Sequence, residues 1–154
     1  VAVAEDTATQ RNLWEFREKI TEAIATQGTP HKLDVTLAAS RLAQFVEGVP
    51  KIVSDIDEKA TTLMFGHLGD GNVHVNILGG NASKVDSSID IAVLAYTASL
   101  GGSISAEHGI GTAKRDLLHL NRSTSELAVF RSIKQALDPT NILNPNALIP
   151  EENL

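Results

Sequence analysis

Between Thr61 and Leu78 the chain reads TTLMFGHLGDGNVHVNIL. Two arms of alternating, β-prone residues flank a Gly-Asp-Gly centre, and that pattern makes the chain double back as an antiparallel hairpin. With Asp70 and Gly71 as the two turn residues, His67 faces His74, Phe65 faces Asn76 and Leu68 faces Val73. Directly opposed residues hold their Cβ atoms roughly 4.5–5.5 Å apart, so two imidazoles can share one metal ion. The other side of the ribbon carries Met64, Gly66, Val75 and Ile77, which suits a core. A hairpin that simply holds two histidines at a sheet edge fits the same pattern equally well, because structural His pairs are common. A metal site needs a third ligand from elsewhere in the chain.

The 154 residues suffice for one domain with a real core. A formal net charge of -6 argues against nucleic acid and against an anionic membrane as partner. No apolar run approaches the roughly 20 residues of a membrane span, and no signal peptide is visible. The chain has no cysteine, so a disulfide framework and a thiolate metal site are both excluded, and any metal must use His, Asp or Glu. This composition suits a reducing cytosol, and a cytoplasmic location is the expectation. The chain starts VAVAEDT, without an initiator Met, which suggests a piece of something longer.

Val1–Ala4 is a short apolar run that reads as the end of a strand. Asp6 or Thr7 caps a helix expected to run to about Thr26, with Leu13, Ile20 and Ile24 as its buried stripe. Arg17 falls inside that stripe and Thr21 at its edge. An inward Arg needs an anionic partner, which is either a structural carboxylate or the carboxylate of a substrate. His31–Thr36 reads as a strand carrying Lys32. A helix opens at Ser40, with Pro50 expected to kink or split it. A polar loop at Gly79–Ser83 follows the hairpin, and Ser87 with Asp90 starts a helix to Leu100.

Ser103–Glu107 alternates like a strand. Alternation sends Glu107 and His108 to opposite sides, so at most one faces the hairpin histidines unless the strand ends between them. Gly109-Ile110-Gly111 lacks the spacing of a phosphate loop or dinucleotide fingerprint; it reads as a tight loop into another helix. Ser123 and Glu126 make a capping box for a last helix buried through Leu127, Phe130, Ile133 and Leu137.

Three segments, GHLGDGNVHVN at 66–76, GGSISAEHGIGTAKRDLL at 101–118 and IKQALDPTNILNP at 133–145, resemble the C-terminal domain of FAD-linked 2-hydroxy-acid oxidoreductases. That family includes D-lactate dehydrogenases, the FAD-bearing subunit of glycolate oxidase and D-2-hydroxyglutarate dehydrogenase. LWEFREKITEAI at 13–24 and HKLDVTL at 31–37 are similar to the same domain in the same order. The resemblance implies an α+β fold, a mostly antiparallel, ferredoxin-like sheet covered by helices. It implies His67, His74 and Glu107 as metal ligands, with zinc as the metal. It implies Arg17, Thr21, Lys32, Asn76 and His108 as substrate contacts, His108 as the catalytic base, and Asn144 where the tail approaches the flavin. The implied partners are a small 2-hydroxy acid and an FAD-binding domain of the same full-length protein, expected to be absent from this fragment; a homodimer is left open. Leu33 stands where a Tyr is common in the family, and Asn146-Ala147 where Gly-Lys is common. The rival readings are a free-standing zinc hydrolase with a His-His-Glu site and a non-catalytic structural module.

Overall fold

Two strands that alternate apolar with polar residues, HKLDVT and NVHVNIL, can lie side by side only if their apolar positions share a face. A computed structural model, which describes residues 3–79 and 87–150, pairs them in that way. The elements run α1 (Thr7–Glu18), α2 (Ile20–Ala25), β1 (His31–Thr36), α3 (Ala39–Ile56), β2 (Thr61–His67), β3 (Asn72–Leu78), α4 (Ser87–Ser99), a 3₁₀ helix (Arg115–Leu120) and α5 (Thr124–Leu137). The sheet is antiparallel throughout, in the order β1-β3-β2. On the free edge of β1, Thr36 forms an isolated antiparallel bridge with Ser103. A β-α-β-β-α run followed by a return to the β1 edge is the ferredoxin-like order, here with its last strand reduced to one bridge.

One face of the sheet is dry. Leu33, Val35, Val73, Val75 and Ile77 pack against Phe45, Val49 and Val53 of α3 and Ile89, Val93 and Leu94 of α4. Burying each such side chain contributes about 1.5–3 kcal/mol, so this layer dominates the stability of the fold. The two helices approach closely at Gly48, where a Cβ would lie 2.4 Å from the Tyr96 hydroxyl. That hydroxyl donates to the Gln44 carbonyl at 3.0 Å, tying α4 to α3.

Several expectations change. Pro50 does not split α3, which runs unbroken through it. Pro50 is exposed, while Phe45, Val49 and Val53 on the opposite side are buried and hold the helix together across the missing bond. The first helix stops at Glu18 and restarts at Ile20. Its Asp6 cap forms as expected, accepting from the Ala8 and Thr9 N–H groups, but of its stripe only Ile24 is fully buried. Ser103–Glu107 is not a strand beyond the Ser103 bridge, and the helix expected after Gly111 is 3₁₀. The Ser123–Glu126 capping box is present in full. Of the four core residues expected in α5, only Leu127 is buried; Ile133 and Leu137 are 53% and 78% exposed. Val3 and Ala4 are not in a strand. Residues 1–2 of the opening apolar run, residues 80–83 of the expected polar loop and the Ser87 side chain lie outside the described residues.

Candidate metal and substrate site

The second face of the sheet carries the polar half of the alternation. Lys32, Asp34 and Thr36 from β1 pair with Asn76, His74 and Asn72 of β3, and β3 pairs on its other side with Leu63, Phe65 and His67 of β2. The hairpin register therefore differs from the two-residue turn expected. His67 faces Asn72, and Phe65 faces His74. The connection is a four-residue turn over Leu68–Gly71, closed by the Gly71 N–H donating to the His67 carbonyl at 3.0 Å. Asp70 shapes it by accepting from the Asn72 N–H at 3.0 Å. The slip is by two residues, so every side chain keeps its face. His67 and His74 become diagonal neighbours with ring centroids 5.8 Å apart.

The third donor arrives from the 105–109 loop. Ligand atoms of His67, His74 and Glu107 all lie within 4.8 Å of one another. Glu107 Oε1 accepts from Asn72 Nδ2 at 2.7 Å and sits 3.9 Å from His67 Nε2. Arg17 reaches over from α1, its guanidinium 5.2 Å from the centre of the Phe65 ring and 3.2 Å from His67 Nε2. A guanidinium only donates, so His67 Nε2 is the accepting, unprotonated nitrogen in this arrangement.

Glu107 and His108 both turn towards the site, although a strand would have separated them. The cause is Asp34, which sequence reasoning missed. Its carboxylate is 2% exposed, and Oδ2 accepts the backbone N–H groups of Ala106, Glu107 and His108 at 3.2, 2.7 and 3.1 Å. Three successive N–H groups aimed at one oxygen curl the chain, and the loop cannot continue as a strand. Burial pushes the Asp34 carboxyl up, but the N–H bonds from Glu107 and His108 and the nearby His108 and His74 imidazoles more than reverse this, and its pKa is lowered overall. Lys114 closes the loop behind, donating from Nζ to the Asp34 and Ile104 carbonyls; burial lowers its pKa against the opposing pull of Asp34 and Asp90.

Asn72 is a second residue missed. It is 3% exposed and fixes the Glu107 carboxylate. Both Asp34 and Asn72 lie on the polar face that alternation defines, so the signal was present; which neighbour each would meet depended on register and on the loop.

His108 is largely exposed, with its ring stacked on His74 at 6.2 Å between centroids. It lines, with Lys32, Asp34, Gly111 and Lys114, a hollow of about 310 Å³, within the size range of small-molecule sites. Asn76 is 3% exposed and its Nδ2 has no hydrogen-bond partner among the described residues. Thr21 lies exposed on α2, and no hydrogen bond joins it to this group among the described residues. Asn144 is exposed in the tail after α5, with φ 46°. The tail is anchored to the glycine loop where the Leu148 N–H donates to the Gly111 carbonyl at 2.8 Å.

The family model "FAD linked oxidases, C-terminal domain" matches residues 1–148. A probable mitochondrial D-2-hydroxyglutarate dehydrogenase of Oryza sativa subsp. indica is 39% identical over 153 residues, covering 99% of this chain and 27% of that protein. The D-2-hydroxyglutarate dehydrogenase of Stutzerimonas stutzeri (strain A1501) is 35% identical over 144 residues, covering 90% of this chain and 31% of that protein. The mitochondrial enzyme of that name from Danio rerio is 33% identical over 150 residues, 97% and 28% respectively. The chain thus spans less than a third of the length of these curated relatives.

Proposed function

This chain belongs to the family of FAD-linked oxidase C-terminal domains, and we propose that it is the substrate- and metal-binding part of an FAD-dependent dehydrogenase acting on a D-2-hydroxy acid. D-2-Hydroxyglutarate is the substrate that the names of the relatives favour. The observation that carries the reading is the convergence of His67, His74 and Glu107 beside the Arg17 guanidinium.

Two imidazoles and one carboxylate suit a catalytic zinc or a similar divalent ion with an open position. Such an ion would supply Lewis-acid polarisation of a substrate oxygen. His67 already presents a bare Nε2 and would hold the ion through it, and the Arg17 guanidinium beside it offers a planar fork suited to a substrate carboxylate. Lys32, which lines the hollow, attracts a second anionic group, and Asn76, its partner across the sheet, holds an amide nitrogen without a hydrogen-bond partner among the described residues. His108, exposed and able to reach the same space, takes the proton of the 2-hydroxyl. FAD would accept the hydride from C2, bound mainly by the remainder of the full-length protein, with Asn144 on this chain's contribution to that contact.

Calorimetry with zinc chloride tests the centre directly. The chain is expected to bind about one ion, and His67→Ala and His74→Ala each to weaken binding greatly. Undiminished affinity in the double variant overturns the assignment. In the full-length enzyme, His108→Ala is expected to keep flavin and metal but lose ~10²–10⁴-fold in turnover, the span of a general base.

A further inference from the structure

The three donors of the proposed centre come from separate segments, β2, β3 and the 105–109 loop. One buried side chain touches two of them. Asp34 Oδ2 gathers the N–H groups of Ala106, Glu107 and His108, while Oδ1 lies 3.1 Å from His74 Nδ1, a close approach outside hydrogen-bond geometry that leaves this buried oxygen without a hydrogen-bond partner among the described residues. A carboxylate only accepts, and a buried oxygen left without a donor is costly, so a proton on the nearby Nδ1 is favoured over a lone pair that would repel it. The proton then leaves Nε2 bare, and Nε2 is the nitrogen that an ion can use. Outer carboxylates that fix an imidazole in this way are worth 10–100-fold in metal affinity.

We propose that Asp34 is a positioning residue that holds His74 as its Nδ1–H tautomer and, through its other oxygen, docks the Glu107–His108 segment against the same imidazole. This deepens the metal reading above and rests on it. One carboxylate thereby sets two ligands at once and places the catalytic His108 next to them.

The decisive variant is Asp34→Asn, which keeps the volume. The amide oxygen must stay on the loop N–H groups, because turning it away would set its NH₂ against three donors. That leaves the NH₂ facing His74, whose Nδ1 must now accept. The tautomer inverts, and Nε2 carries the proton. Long-range ¹H–¹⁵N spectra of the metal-free chain, with the imidazole neutral, read this directly. The wild-type chain is expected to show His74 protonated on Nδ1 and Asp34→Asn to show it on Nε2, with zinc affinity by calorimetry reduced 10–100-fold. A merely structural Asp34 would lower stability and leave the tautomer unmoved. Nε2–H in the wild-type spectrum overturns the proposal, and needs no folded variant; so does wild-type zinc affinity in Asp34→Asn. A wild-type chain that binds no zinc refutes the metal reading instead, and the tautomer then decides the role of Asp34 by itself.

Discussion

Two glycines flank Asp70 in the hairpin turn, and the structure predicts opposite outcomes for their replacement by alanine. At Gly71 the backbone is left-handed, with φ +74°, and an added Cβ would fall 1.8 Å from the carbonyl oxygen of Leu37. The left-handed conformation costs a residue with a Cβ about 1–2 kcal/mol. Relieving the overlap means moving backbone, comparable to the roughly 1–3 kcal/mol of an overpacked core. The Leu37 N–H also donates to the Gly71 carbonyl at 3.0 Å, so no shift can spare that contact. Gly71→Ala is expected to lose about 2–5 kcal/mol, or roughly 4–20 °C in Tm for a domain of this size. At Gly69 an added Cβ would meet nothing within 4 Å, and φ is not left-handed. Gly69→Ala is expected to be neutral or to gain about 0.4–1 kcal/mol by restricting the unfolded chain. Urea and thermal unfolding of both variants measure the difference. Because the turn sets the separation of His67 from β3, Gly71→Ala should also weaken zinc binding while Gly69→Ala leaves it unchanged. Two variants of equal stability would refute the close approach of the turn to Leu37.

Arg17→Lys in the full-length enzyme is expected to lose the proposed two-pronged contact with a substrate carboxylate, costing about 1.5–3 kcal/mol in substrate binding or turnover; unchanged kinetics would reduce Arg17 to its contacts with Phe65 and His67. His31 on β1 pairs with Asp90 on α4, and the hydrogen bond to that carboxylate outweighs burial and raises the imidazole pKa above 6.5. A raised pKa means that the pair's stabilisation is fully present below 6.5 and is lost as pH climbs through the folded-state value. The Tm advantage of wild type over His31→Gln should therefore shrink on going alkaline, and a gap that widens instead would contradict the pairing.

Alternation in HKLDVT, TTLMFGH and NVHVNIL determined which residues within each strand share a face, and a slip by an even number of residues leaves that assignment intact. That is why His67, His74 and Asn76 were placed correctly on the polar side even though the hairpin pairs two residues away from the expected alignment. Local chemistry likewise determined the Asp6 and Ser123 caps, since each needs partners only three residues away. The tertiary structure alone decided the rest. The Gly-Asp-Gly turn takes four residues because Asp70 and Gly71 answer to Asn72 and to Leu37, and Leu37 lies more than thirty positions earlier. Ser103–Glu107 alternates like a strand, yet Asp34 captures its N–H groups from more than seventy positions away and bends it into the loop that delivers Glu107. The α5 pattern of Leu127, Phe130, Ile133 and Leu137 promised a buried stripe; periodicity specifies an apolar face but not what covers it, and in this chain Ile133 and Leu137, half of that face, are exposed. Faces and caps are short-range properties of the backbone, so they could be read without the fold. The meeting of His67, His74, Glu107 and Asp34 depends on contacts between segments that only the folded chain brings together.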